Sequence, residues 1–227
     1  MRRAQAVAIC LTVAMLVGCQ LSPISLSTIP SRIERIEGHA SLTISGDQGS
    51  ARSKFSFLFQ VPSRGRIDVT GALGSVLYRI IIHDGDAYFV LPSKKAYWQG
   101  KEEDIIDKFM GFRLSLDEMI NLLSGTWERE DVLRGENLGD WAFTRDKKGR
   151  VVSGKRQDLR FAIEEFIGDT AFARRLVFEH PSSTGQVKIL NINLNGPIGE
   201  NVFSKKFLTK YQPKTWAEIQ EMLDHAR

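Results

Sequence analysis

The residues of this chain that could do covalent, acid–base or metal chemistry are few and scattered. Its four histidines, His39, His83, His180 and His225, sit in separate segments with no HxH or HxxxH spacing, so they do not form a ligand set. No serine lies in a GxSxG elbow, and the Gly71–Gly74 stretch is neither a phosphate-binding loop nor a dinucleotide fingerprint. The run Glu102-Glu103-Asp104 reads as the acidic start of a helix rather than a metal site. Glu164 and Glu165 fall on a β run, which turns neighbouring carboxylates to opposite faces and weakens any acid/base pair. That pattern predicts a protein that binds, with no catalytic residues, no metal and no cofactor.

Cys19 is the residue with the clearest chemistry. Arg2 and Arg3 precede an apolar run, Ala4 to Val17, that is too short for a secure membrane span. It ends in Leu16-Val17-Gly18-Cys19, which is similar to the bacterial lipobox. That similarity implies cleavage before Cys19, a diacylglyceryl thioether on its sulfur and an acyl group on its amine. Several acyl chains hold a protein to a bilayer where one alone is marginal. Residues 1–18 are therefore expected to be a signal peptide and residues 19–31 an acylated tether rich in Ser, Pro and Ile. Residues 32–227 are expected to form one domain. Cys10 lies in the leader, so a disulfide framework and a cysteine metal site are excluded from the mature chain. Gln20 stands where the enterobacterial sorting rule would need aspartate for inner-membrane retention, which points to the periplasmic face of the outer membrane.

Charge narrows the partners. Lys plus Arg number 31 against 27 for Asp plus Glu; without Arg2 and Arg3 the balance is 29 against 27. So even a balance argues against nucleic acid as a partner.

The elements that must position any binding site are mostly strands. Phe55, Phe57 and Phe59 share one face of a run opposed by Lys54, Ser56 and Gln60, as core or as the lining of a cavity. Ile67 and Val69 alternate before the loop Gly71-Ala72-Leu73-Gly74-Ser75, and Val76, Tyr78, Ile80 and Ile82 share a face after it. A leucine between two glycines either folds back onto a core or is held out towards something apolar. Asp84-Gly85 predicts a hairpin turn. The period then changes: Ile105, Ile106, Phe109 and Met110 lie on one helical face. Ser115-Leu116-Asp117-Glu118 is a capping box for a second helix carrying Leu116, Met119, Ile120, Leu122 and Leu123. Strand patterns return at Trp141-Ala142-Phe143, at Leu159, Phe161 and Ile163, at Phe172, Leu176 and Phe178, and at Leu190, Ile192 and Leu194. Thr215-Trp216-Ala217-Glu218 caps a last helix reaching about His225. Strands, two helices, strands and a helix predict an α+β fold with a strongly twisted antiparallel sheet whose concave side the helix pair covers.

Ala72-Leu73-Gly74-Ser75, the hairpin that follows and Glu103 to Gly125 resemble the LolB family of outer-membrane lipoprotein receptors. The resemblance covers Ile36 to Gly125; Ala72 stands where the family commonly has proline, and the family's tryptophan near the end of the second helix is absent. It implies an unclosed antiparallel β-barrel whose short helices cover an apolar cavity for acyl chains. It also implies a LolA-like periplasmic carrier as partner, delivering acylated lipoproteins to a monomeric receptor, and Leu73 as the membrane-inserting residue. Candidate cavity and lid residues are Phe55, Phe57, Phe59, Ile80, Ile106, Phe109, Met110, Met119, Ile120 and Leu123. The sequence leaves two other readings open: an acylated carrier of another lipid or hydrophobic ligand, and a non-catalytic lipoprotein of an envelope complex.

Overall fold

The structure is a computed structural model and describes residues 24, 26, 28–46, 49–71, 73–110, 112–127 and 140–224, without the side chains of Phe109 and Met110. The predicted leader, Cys19, Ala72 and His225 lie outside the described residues.

Six strands follow one another as an antiparallel meander: β1 (Arg35–Gly46), β2 (Gly49–Gln60), β3 (Arg64–Thr70), β4 (Val76–His83), β5 (Asp86–Leu91) and β6 (Ala96–Lys101). Two helices come next, α1 (Glu102–Met110) and α2 (Leu116–Ser124). A second meander holds β7 (Ala142–Arg145), β8 (Val151–Arg156), β9 (Leu159–Phe166), β10 (Ala173–His180) and β11 (Ser183–Leu194). The chain ends in the short β12 (Gln212–Pro213) and α3 (Trp216–Asp224).

The twelve strands among the described residues form one sheet in the order β12-β6-β5-β4-β3-β2-β1-β11-β10-β9-β8-β7. The two meanders are joined where β1 pairs with β11, and β7 and β12 remain as unjoined edges. The barrel is therefore open, as the pattern predicted. Because β6 and β7 lie at opposite ends of the strand order, α1 and α2 must bridge the width of the sheet between them.

Register arranges the inward side chains in rows. Ile36, Phe59, Gly65, Ile82 and Ala87 stand opposite one another across β1–β5, and Gly38, Phe57, Ile67, Ile80 and Phe89 make the next row. The missing side chain at Gly65 admits α2: a Cβ there would stand 3.1 Å from Leu116 Cδ1. Ile105, Leu116 and Ile120 of α1 and α2 are fully buried against these rows. A second inward cluster gathers Leu159, Phe161, Ile163, Leu176 and Phe178 with Phe112, Leu122 and Trp127.

The capping box of α2 is formed as expected: the Ser115 hydroxyl accepts from the Glu118 N–H and the Glu118 carboxylate accepts from the Ser115 N–H. Thr215 and Glu218 do the same for α3. The C-terminal segment has a role no sequence signal gave. Leu208 packs on Ile81, Tyr88 and Val90 of the convex face, β12 then pairs in parallel with β6, and α3 turns inside to bury Ile219 completely. It wraps one edge of the sheet from outside to inside, which protects an otherwise open strand.

Two inward assignments need correction. Leu190 does not share a face with Ile192 and Leu194. The register shifts between His39 and Ala40, which pairs Ala40 with Ile189 and leaves Leu190 41% exposed. Phe172 precedes β10 and packs with the first cluster, while Leu176 and Phe178 belong to the second; irregular pairing around Arg175 breaks the alternation. Ile189→Ala is therefore expected to lower the unfolding free energy by about 2–5 kcal/mol, and its neighbour Leu190→Ala by about 1 kcal/mol at most. Urea titration of the two variants measures the difference, and equal losses would contradict the bulge.

Candidate apolar binding site and exposed loop

The inward face of β2 carries a ladder of rings. Phe55 and Phe57 have centroids 6.1 Å apart, and Phe57 and Phe59 stack at 5.5 Å. Ile80 faces them from β4, two strands away, and Ile120 closes over them from α2. Phe57, Phe59, Ile80 and Ile120 are buried. Phe55, Ile106, Met119 and Leu123 are half-buried, and Ile106 and Met119 touch both apolar clusters. The side chains of Phe109 and Met110 lie outside the described residues. The remaining sequence candidates are thus gathered on one lining, with α1 and α2 seated in the concavity.

α1 is also held from the side. Lys108 Nζ lies 5.4 Å from the Trp98 ring of β6 and 5.2 Å from the Trp216 ring of α3, so its cation rests on two aromatic faces.

Leu73 is resolved in the opposite sense. It is 98% exposed, the most exposed of the large apolar residues described. The loop that holds it is a closed turn: the Gly71 N–H donates to the Ser75 carbonyl at 2.9 Å and the Gly74 N–H to the Gly71 carbonyl at 3.0 Å. Gly74 has φ +78°, a conformation a side chain would strain. Leu77, four residues on, is 49% exposed on the convex side of β4. The loop does not fold Leu73 onto any core.

No family model matches this chain, and no curated protein matches it. Solved structures do. A domain described as an outer-membrane lipoprotein-sorting protein from Vibrio parahaemolyticus superposes with TM-score 0.55 at 11% identity, over 77% of this chain and 91% of that one. A DUF1329 family protein from Desulfovibrio piger gives TM-score 0.56 at 13% identity, over 78% and 92%. The chain has a LolA-like open-barrel fold. A LolA superfamily protein from Nitrosomonas europaea is a looser match, with TM-score 0.49 at 12% identity over 81% and 94%.

In this LolA-like barrel one buried carboxylate ties the helix cover to the far edge of the sheet. Glu118 is 7% exposed, and beyond its capping role its Oε1 accepts from Trp141 Nε1 at 2.7 Å and from Arg156 Nη1. Arg156 stacks 4.8 Å over the Trp141 ring and donates through Nη2 to the Arg113 carbonyl in the link between α1 and α2. The capping box pointed to Glu118, but partners 23 and 38 residues away left no local signal. Glu118→Ala would leave Arg156 without its carboxylate, with an expected loss of about 3–5 kcal/mol. Limited proteolysis should then cut between α1 and α2 faster than in the wild type; an unchanged cleavage rate would show that the carboxylate does not hold the cover.

Two other carboxylates at the helix starts are unfavourably placed. Burial pushes Asp117 above its ordinary value of 3.8, helped by the neighbouring Glu118 charge, and Asp117 Oδ1 is buried without a hydrogen bond. Burial likewise raises Glu102. A carboxyl with a raised folded-state pKa binds its proton more tightly in the native state, so it destabilises the fold once ionised and ceases to do so as pH falls. Asp117→Asn should therefore raise the melting temperature at pH 7, with the gain vanishing below about pH 3.8; a gain independent of pH would contradict this.

Proposed function

We propose that this protein is a lipid-anchored, LolB-like receptor that accepts acylated lipoproteins from a LolA-like periplasmic carrier and passes them into the outer membrane. The observation that carries the reading is Leu73, 98% exposed on a closed turn of a barrel whose concave side is lined with apolar side chains. Water is an unfavourable place for that leucine, and moving it into hydrocarbon would contribute about 1.5–3 kcal/mol. Acylation at Cys19 would hold the loop near the bilayer. On this reading Phe55, Phe57, Phe59, Ile80, Ile106, Met119, Ile120 and Leu123 take up the acyl chains, α1 and α2 act as the movable cover, and no catalytic group is needed.

The expected outcome of depleting the protein is that outer-membrane lipoproteins accumulate on their periplasmic carrier; an unchanged distribution, measured by membrane fractionation, would refute the receptor role. Leu73→Glu should leave the melting temperature within about 2 °C of the wild type, since surface changes are usually worth under about 0.5 kcal/mol, yet abolish delivery to the membrane. A drop of many degrees would mean that the side chain is needed for folding.

A further inference from the structure

Among the described residues, the convex face next to the Leu73 loop carries three cations without an ion pair. Lys54 of β2 and Lys188 of β11 both stand opposite Ser41 of β1, so the three share one row. Arg52 is two residues along β2, on the same side, opposite Thr43. Arg52 and Lys54 are exposed, Lys188 is half-buried, and Ser41 lies 8% exposed between the lysines. Among the described residues none of the three cations has an ion pair, whereas the next cation in the row, Arg175, is held by Glu164 at 2.9 Å and by Glu165. Asp68, nearby on β3, is shared between Arg66 at 2.7 Å and Arg79 at 2.6 Å, and that trio adds a further net positive charge.

Lys54 and Lys188 are two strand spacings apart, about 10 Å, which lies at about the Debye length in physiological salt. Among the described residues no ion pair uses the charge of either lysine. The row leads straight to the exposed loop: Thr70 stands opposite Lys54, its hydroxyl donates to the Lys54 carbonyl at 3.3 Å, and Leu73 follows three residues later. Leu77 is exposed on the same side. An apolar tip beside a strip of unpaired cations matches a bilayer surface, where hydrocarbon lies below a layer of negative headgroups.

We propose that Arg52, Lys54 and Lys188 bind the headgroups of anionic phospholipids and so orient the protein with Leu73 in the membrane. The proposal rests on the membrane-delivery reading above and supplies what that reading lacks, a reason for one orientation. Acylation at Cys19 would keep the domain close to the bilayer but does not by itself select which face of the sheet meets it. Each cation held at an anionic surface is worth roughly a fivefold gain in association, so three are enough to select one face.

The test uses the acylated full chain with Leu73 kept and the exposed Ser75 of the same loop changed, Ser75→Cys, labelled there with an environment-sensitive fluorophore and reconstituted into vesicles containing a lipid-attached quencher. Quenching is expected to rise several-fold when part of a neutral phosphatidylcholine bilayer is replaced by phosphatidylglycerol, and to fall again in high salt. Arg52→Gln with Lys54→Gln and Lys188→Gln should remove the dependence on phosphatidylglycerol, and Lys54→Arg with Lys188→Arg should keep it. Equal, strong quenching in neutral and anionic vesicles would overturn the headgroup strip while leaving the Leu73 tip in place. No quenching in either would overturn both the strip and the membrane-delivery reading. If lipid composition has no effect but the glutamine variants slow transfer from the carrier protein, the strip binds an acidic protein face and the proposal fails.

Discussion

An antiparallel sheet with an apolar inner face and two free edges cannot stand in water uncovered, and most features of this molecule answer that constraint. Pairing of β1 with β11 joins the two meanders into one sheet, whose end strands β7 and β12 are not paired with each other. Closure would have satisfied the edges and sealed the interior. Openness instead obliges the chain to send α1 and α2 from β6 to the opposite edge, and to bring the C-terminal segment round β6 so that α3 can bury Ile219 inside. The concave face is thereby covered by helices whose apolar sides pack into it.

The cover is held by directional polar contacts as well as by apolar ones. Apolar packing of Ile105, Leu116 and Ile120 is non-directional. The Glu118–Arg156–Trp141 network is directional. Asp117 and Glu102 act against it, since burial opposes their ionisation at the same helix starts.

Much of this was legible in the chain itself. Alternation identified the Phe55–Phe59 face and the β4 strand, both capping boxes are formed, and the change of period marked the two helices at their observed positions. Leu73 was an anomaly in the loop, and its exposure could be posed as a question but not answered, because loop packing is a tertiary property. Leu190 and Phe172 were misplaced for one reason: a bulge breaks the period of two, and no residue type announces it. The Glu118 partners and the convex cation strip depend on which strands become neighbours. β1 meets β11 across some 150 residues, so Lys54 and Lys188 share a row only after the sheet has formed.

In the proposed receptor role the concave face receives acyl chains and the convex face does not. Neighbouring positions on β2 separate the two, since Phe55 faces inward and Ser56 faces out. A photo-crosslinking benzophenone side chain placed at 55 in cells should trap acylated proteins under irradiation, and the same group at 56 should not. Acylated adducts at 56 with none at 55 would contradict the account.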